Sequence, residues 1–237
     1  MKTTALTIAL IGTIGVFIFA YLIANDKAVT MQSSQPNNQP VVNLPSPILD
    51  SDVSLEKTLS ERRSGRDYKN EPLTLSEVSQ LLWAAQGITN EQWGGRTAPS
   101  AGALYPLEVY LIAGQVNDLA ASVYRYVPEG HKLVKVLSGD KRSELSAAAL
   151  DQVYVAEAPI DIVIAAVYER TTGKYGERGV RYVHLEAGHA GQNIALQVVR
   201  LDLTAVTIGA FDDNEVVKII GAGDNETPLY IIPVGRK

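Results

Sequence analysis

The sequence predicts an α+β fold, and three observations carry that expectation. Segments of helical and strand period follow one another without the regular alternation of a doubly wound sheet. The run IDIVIAAV at 160–167 is nearly continuously apolar, as in a strand covered on both faces. Ala187, Ala190, Ile194, Val198 and Leu201 recur at spacings of three and four, which marks a helix. Gly188, Gly191 and Ala195 on that helix permit close backbone approach and make it central.

Composition permits such a core. The 237 residues are 46% apolar and 20% charged, which is ample for a core without covalent staples. Lys and Arg number 21 against 26 Asp and Glu, a formal net charge of −5. No basic run offsets it, so the sequence-independent attraction to phosphate that nucleic-acid binding requires is lacking and no nucleic-acid partner is expected. The absence of cysteine excludes disulfides, thiolate metal sites, iron–sulfur clusters and cysteine nucleophiles together.

In chain order, the first feature is a segment without charge between Lys2 and Asp26. Within it, ALTIALIGTIGVFIFAYLIA at 5–24 is long enough as a helix to cross roughly 30 Å of hydrocarbon. Residues 1–24 are therefore read as a transmembrane anchor, in preference to a signal peptide, because the run exceeds a usual signal core and no small-x-small cleavage site follows. The folded part would then be displayed on the extracytoplasmic side, or secreted if the segment is cleaved. Residues 25–52 are read as a flexible linker rich in Pro, Asn and Gln. Pro36, Pro40, Pro45 and Pro47 interrupt it and favour extended conformers. The folded domain is expected over 53–237.

Within that domain helices are predicted at 55–63 and 73–86, the second opened by Thr74-Leu75-Ser76-Glu77 as a capping box and closed by Gly87. The passage GITNEQWGGRTAPSAGALYP at 87–106 reads as a long functional loop. A strand is predicted at 107–113, and segments 123–127 and 133–137 form a hairpin around Pro128-Glu129-Gly130. A helix is predicted at 143–152, a strand at 205–210, a helix at 214–220 ended by Gly221, and a final strand at 229–234.

Generic motifs are mostly negative. Gly221-Ala222-Gly223 follows a helix and lacks the third glycine of a dinucleotide fingerprint, and neither a Walker sequence nor a Gly-x-Ser-x-Gly elbow occurs. His184 and His189 are five apart and diverge by about 140° on a helix, so no metal site is expected from them. The cations are more informative. Arg62-Arg63-Ser64-Gly65-Arg66 places three guanidinium groups and a hydroxyl at the end of the first helix, and Arg236-Lys237 adds two cations at the C-terminus. Forked Arg donors and a Ser hydroxyl match phosphate oxygens. Arginines in a last helical turn also suit the helix dipole, and a basic terminus is commonly solvated, so both readings stay open on these residues alone.

Five strings in order, RRSGRDY, PSAGALYPLEVY, KYGERGVRYVHLEAGHAGQNIALQ, TIGAFDDNEVVKIIG and PLYIIPVG, resemble the nitroreductase superfamily and, more narrowly, SagB-type dehydrogenases. The resemblance runs from 55 to 235. It implies a nitroreductase-like homodimer, its central mixed or antiparallel sheet flanked by helices, with FMN at the subunit interface. By position, Arg62, Arg63 and Ser64 would hold the phosphate and ribityl chain, Arg66 would reach the flavin ring, and Arg236 would contact the same phosphate. Pro99, Ser100, Ala101, Gly102 and Leu104 match the loop that such proteins contribute to the flavin of the other protomer, where Tyr105 shapes the pocket. Ile208, Gly209 and Ala210 match the strand end whose backbone donor faces flavin N5. Gln192 and Asn193 fall near the ring on the central helix, with satisfaction inside a packed helix as the alternative.

Lys174 and Tyr175 match the pair that is catalytic in the SagB-type branch, where a base removes a ring proton from an azoline while hydride passes to FMN. A lysine beside a phenol favours its ionised form by charge proximity. Against this, 171–176 is turn-like, and Tyr175 can simply pack. Two departures stand out: Leu201-Asp202-Leu203-Thr204 replaces the Gly-Leu-Gly of many relatives, and Gly209-Ala210 replaces Glu-Gly, so no role of that carboxylate carries over. The implied activity is an FMN-dependent oxidoreductase acting on a small-molecule or peptide substrate, azoline-type included, with NAD(P)H as an open choice of electron donor. An NAD(P)H-dependent nitro or quinone reductase, a dehalogenating flavoenzyme with an anchor, and a membrane-displayed domain without chemistry are the alternatives.

Overall fold

The computed structural model of the protein describes residues 40–237. In chain order they form β1 (Val41–Asn43), α1 (Leu55–Glu61), α2 (Leu75–Gln86), a ribbon of β2 (Ile88–Asn90) and β3 (Gly95–Arg96), a 3₁₀ turn (Ala101–Ala103), β4 (Leu107–Ala113), β5 (Ser122–Val127) and β6 (Lys132–Ser138). There follow α3 (Arg142–Ala148), α4 (Val153–Glu157), β7 (Ile160–Ala166), α5 (Glu169–Tyr175), α6 (Arg178–Arg200), β8 (Leu203–Ala205), α7 (Asp213–Ile220) and β9 (Thr227–Arg236). Seven strands make one sheet in the order β1-β6-β5-β4-β7-β9-β8, and every pairing in it is antiparallel.

The period of two along the central strands explains the two layers of core. Leu107, Val109, Leu111 and Ala113 of β4 and Ile160, Ile162 and Ile164 of β7 pack on one face with α2 and α6. Tyr110 and Ile112, with Val163 and Ala165, pack on the other face with Leu145, Val155 and Val216 from α3, α4 and α7. A fully buried Leu, Ile or Val is worth roughly 1.5–3 kcal/mol over exposure, so β4 and β7, buried on both faces, anchor the sheet. Val183, Ala187, Ala190, Ile194 and Val198 form the buried stripe of α6.

Several boundaries differ from expectation, each for a physical reason. Val41–Asn43 lies inside the stretch read as linker, yet it pairs with Lys132–Val134 as an edge strand. Pro40, Pro45 and Pro47 flank that strand, where a missing N–H costs nothing, and Leu44 is buried in the core. The passage 87–106 carries its own ribbon and a 3₁₀ turn. Residues 169–175 are helical where a turn was expected, and α6 starts at Arg178, well before its apolar stripe. α4 was not anticipated, because five residues are too few to show a helical period. The expected strand at 205–210 is shorter, since β8 ends at Ala205 and Ile208 pairs only singly with Ile231.

The membrane placement is corrected as well. Among the described residues no helix is long and apolar enough to cross a membrane. The expected anchor at 5–24 lies outside the described residues. Anchoring, the transmembrane helix and the extracytoplasmic display built on them are therefore not carried forward.

Candidate functional site

The short strand β8 draws the two basic segments together. Ser64 bridges Ala205, the Gly65 N–H donates to the Ala205 carbonyl at 2.9 Å, and Leu203 pairs with Arg236 on the other side of the strand. A Cβ at Gly65 would lie 2.0 Å from Thr204 Oγ1, so any larger residue would have to turn that hydroxyl aside. Arg63 Nη1 turns back on its own helix end, donating to the Ser60 carbonyl at 3.0 Å and the Arg62 carbonyl at 2.8 Å. The Arg66 guanidinium lies over the Tyr154 ring, 5.5 Å from its centre. Tyr154 Oη donates to Gln152 Oε1, and Gln152 Nε2 donates to the Ala210 carbonyl at 3.0 Å. This chain of contacts links Arg66 through Tyr154 and Gln152 to Ala210.

Arg236 reaches the same end of the sheet, but its fork is filled by a carboxylate. Nη1 and Nη2 each donate to one oxygen of Glu77 at 3.0 Å, and Nε donates to the Pro72 carbonyl at 3.3 Å. The phosphate contact implied for Arg236 would require breaking this bidentate pair. The structure instead makes Arg236 a brace between β9 and the first turn of α2.

The loop from Pro99 to Tyr105 builds a second centre. Gly102, Ala103 and Tyr105 all have positive φ, at 66°, 54° and 44°, and such values in non-glycine residues cost of order 1–3 kcal/mol each and persist only where the surroundings impose them. The surroundings do. The Tyr105 N–H donates to Ser100 Oγ at 2.9 Å, Arg170 Nη1 donates to the Tyr105 carbonyl at 3.0 Å, and the Arg96 guanidinium lies 4.4 Å from the centre of the Tyr105 ring. A Cβ at Gly102 would fall 2.8 Å from Tyr175 Oη and 3.1 Å from Lys174 Nζ. The loop and the Lys-Tyr pair, some seventy positions apart in sequence, therefore meet at one point. Tyr175 is held edge-on against Tyr182 of α6, ring centres 5.2 Å apart.

Glu186 lies beneath the loop beside Ser100, 2% exposed, and its Oε1 has no partner among the described residues. Burial pushes its carboxyl up to about 7, against the smaller opposing effects of Ser100 and Arg96. Gln192 is exposed on α6. Asn193 Nδ2 donates to the Thr97 carbonyl at 3.3 Å, which makes it a tie to the end of the ribbon.

Sequence reasoning missed Glu186, Tyr182, Tyr154 and Gln152. Glu186 had a signal, being a carboxylate inside the apolar period that links Val183 to Ala190. Tyr154 and Gln152 had none, because their relation to Arg66 and Ala210 arises only when α4 folds over the sheet end. Among the described residues no hydrogen bond or ion pair joins 62–66 and 208–210 to 99–105 and 174–175.

Comparison with known proteins identifies the architecture. Residues 59–236 match the Nitroreductase family. This chain belongs to the nitroreductase family. It is 49% identical over 186 residues to MJ1384 of Methanocaldococcus jannaschii, described as a nitroreductase, covering 78% of this chain and 92% of that protein. The Microcin B17-processing protein McbC of Escherichia coli is 29% identical over 165 residues, 68% of this chain and 61% of McbC. That similarity agrees with the SagB-type branch to which the motifs pointed. A crystal structure of a nitroreductase from Ralstonia eutropha JMP134 superposes with a TM-score of 0.74 at 30% identity, covering 83% of this chain and 89% of that one. The protein is thus a nitroreductase-family oxidoreductase with the α+β fold of that family.

Proposed function

We propose that this nitroreductase-family protein is an FMN-dependent, SagB-type dehydrogenase that works as a homodimer. The observation that carries this reading is the meeting of Tyr175 Oη and Lys174 Nζ at Gly102. The residues present suit the cofactor: Arg62, Ser64 and Arg66 lie on a segment pinned to β8, no carboxylate among the described residues pairs with Arg62 or Arg66, and open space flanks Gly209. When bound, FMN supplies two-electron hydride transfer at its N5. Arg62 and Ser64 would hold its phosphate end through forked and hydroxyl donors, joined by Arg63 once its Nη1 leaves the Ser60 and Arg62 carbonyls, and Arg66 would serve the ring. A Cβ at Gly209 would meet nothing within 4 Å among the described residues, so the backbone there would be open to approach by the ring.

The separation of the two centres within one chain supports a dimer. Pro99–Leu104 and the Lys174-Tyr175 pair of one protomer would complete the site formed by 62–66 and 208–210 of its partner. Leu55 and Leu59 of α1 and Leu185 of α6 are more than half exposed, which gives such a partner an apolar surface to cover. In the reaction, the pair formed by Tyr175 and Lys174, with Lys174 Nζ 5.4 Å from the centre of the Tyr175 ring, would take up the proton that a ring carbon of the substrate loses as hydride leaves it. Gln192 lies on the exposed side of α6, open to substrate. Similarity to McbC supports an azoline-type ring in a small molecule or peptide as the substrate. Similarity to MJ1384 favours a second reading, reduction of nitro compounds or quinones by NAD(P)H.

The test is a visible spectrum of the purified protein, repeated on the supernatant after denaturation. Released flavin is expected, as is reduction of the bound flavin by an azoline-containing peptide. Lys174→Ala and Tyr175→Phe should slow that reduction by about 100-fold or more while leaving flavin content and chemical reduction by dithionite unchanged. A colourless protein that takes up no added FMN would overturn the flavin assignment, and unchanged rates in both variants would overturn the pair. Reduction by NAD(P)H alone, with no response to the azoline, would select the reductase.

A further inference from the structure

A cavity of about 270 Å³ opens where the start of β4 and the end of β5 meet α2, the ribbon and α5. Its polar wall is Gln86, Arg96, Glu108, Arg125, Glu129 and Arg170. None of these was a candidate site residue in the sequence.

Gln86 is 1% exposed. Its Oε1 accepts from Arg96 Nη1 at 3.0 Å, which fixes the orientation of the amide, because the reverse would set an NH₂ against a guanidinium. Gln86 Nε2 is thereby left as a buried donor without a partner among the described residues. An unpaired buried amide donor costs about 1–3 kcal/mol unless something accepts from it. The guanidinium groups have donors to spare. Glu108, only 14% exposed, serves both Arg170 and, at a longer 3.9 Å, Arg125, and Arg96 has Glu129 at 3.4 Å on the rim. Three cations against two carboxylates leave the wall one positive charge in excess and rich in donors.

We propose that this cavity binds a small organic monocarboxylate or the carboxylate terminus of a peptide. A carboxylate brings one negative charge and two in-plane acceptor oxygens, which match the excess charge and the Arg forks. A doubly charged phosphate exceeds the charge the wall leaves uncompensated. A volume of about 270 Å³ is room for a carboxylate carrying a short chain. The cavity also touches the loop of the second centre. Arg170 holds the Tyr105 carbonyl and Arg96 covers the Tyr105 ring, so an anion drawing on these groups bears directly on the strained loop. The proposal does not rest on flavin and is read without it.

Calorimetric titration of the full chain with butyrate, with N-acetyl-Gly-Val as free acid and as amide, and with inorganic phosphate tests it. Saturable binding of butyrate is expected, weaker by about tenfold or more in Arg125→Met and in Gln86→Leu, with thermal unfolding of Arg125→Met unchanged. Binding of the peptide acid but not of its amide assigns the ligand to a peptide terminus. Binding of butyrate without the peptide acid assigns it to a free small molecule. No saturable binding of either, equal affinities in both variants, or tighter binding of phosphate than of butyrate would overturn the proposal.

Discussion

At the scale of single residues, Glu186 occupies a place in α6 where the stripe that packs on the sheet calls for an apolar side chain. Its carboxyl is raised to about 7 chiefly by burial, so the folded state holds that proton more tightly than the unfolded chain does. The stability this group contributes is full below about pH 4.5 and is lost as the pH rises through about 7. Glu186→Gln keeps a neutral partner for Ser100 and removes the titration. Its advantage over the parent should therefore grow between pH 5 and pH 8, to at most about 3 kcal/mol. Urea unfolding at the two pH values measures this, and a parent protein that becomes more stable relative to the variant over that window would contradict it. The cations show the opposite limit of sequence reasoning. The resemblance assigned Arg62, Arg63, Ser64 and Arg236 to one phosphate, but that Glu77 claims the Arg236 fork could not be read, because the pairing spans 159 positions.

Among the elements, α2 shows how far local rules reach. Its capping box forms as the spacing of Thr74 and Glu77 requires: the Thr74 N–H donates to Glu77 Oε2 at 2.7 Å and the Glu77 N–H to Thr74 Oγ1 at 3.2 Å. The same carboxylate receives Arg236, so the cap also ties β9 to α2. Thr74→Ala should cost about 1 kcal/mol, seen as a lower denaturant midpoint with an unchanged slope, and Thr74→Ser should restore most of it. A midpoint unmoved by Thr74→Ala would show that the tie to Arg236 holds the helix end without the hydroxyl. α5 was not legible in this way. Its stability comes from packing on α6 rather than from a seven-residue period, and glycine and threonine in 171–176 carry the signature of a turn.

For the whole molecule the question is where the folded unit starts. Leu44 is buried, and the Pro45 carbonyl accepts from Ser79 Oγ at 2.6 Å and lies 3.0 Å from His131 Nε2. Tyr126 Oη meets the other nitrogen of that ring at 2.9 Å, and burial lowers the His131 pKa, which keeps the imidazole neutral in this network. A fragment beginning at Val53 loses β1, Leu44 and the partner of two buried polar groups. It should be less stable than one beginning at Gln39 by about 3 kcal/mol, measured by denaturant unfolding of both fragments. Equal midpoints would return residues 40–52 to the role of a linker.

The sequence by itself determined the α+β class, the central strands, the central helix and, through five ordered strings, the family. Each of these depends on periods and spacings that repeat within a few residues, which is the range over which backbone geometry correlates side chains. The tertiary structure decided what meets what. It brought Lys174 and Tyr175 to Gly102, turned Arg236 to Glu77, laid Arg66 over Tyr154, and set the Gln86 amide against Arg96. Those encounters depend on how the layers stack and where loops close, and the energies that select them come from burial and pairing across the whole fold rather than from any local run of residues.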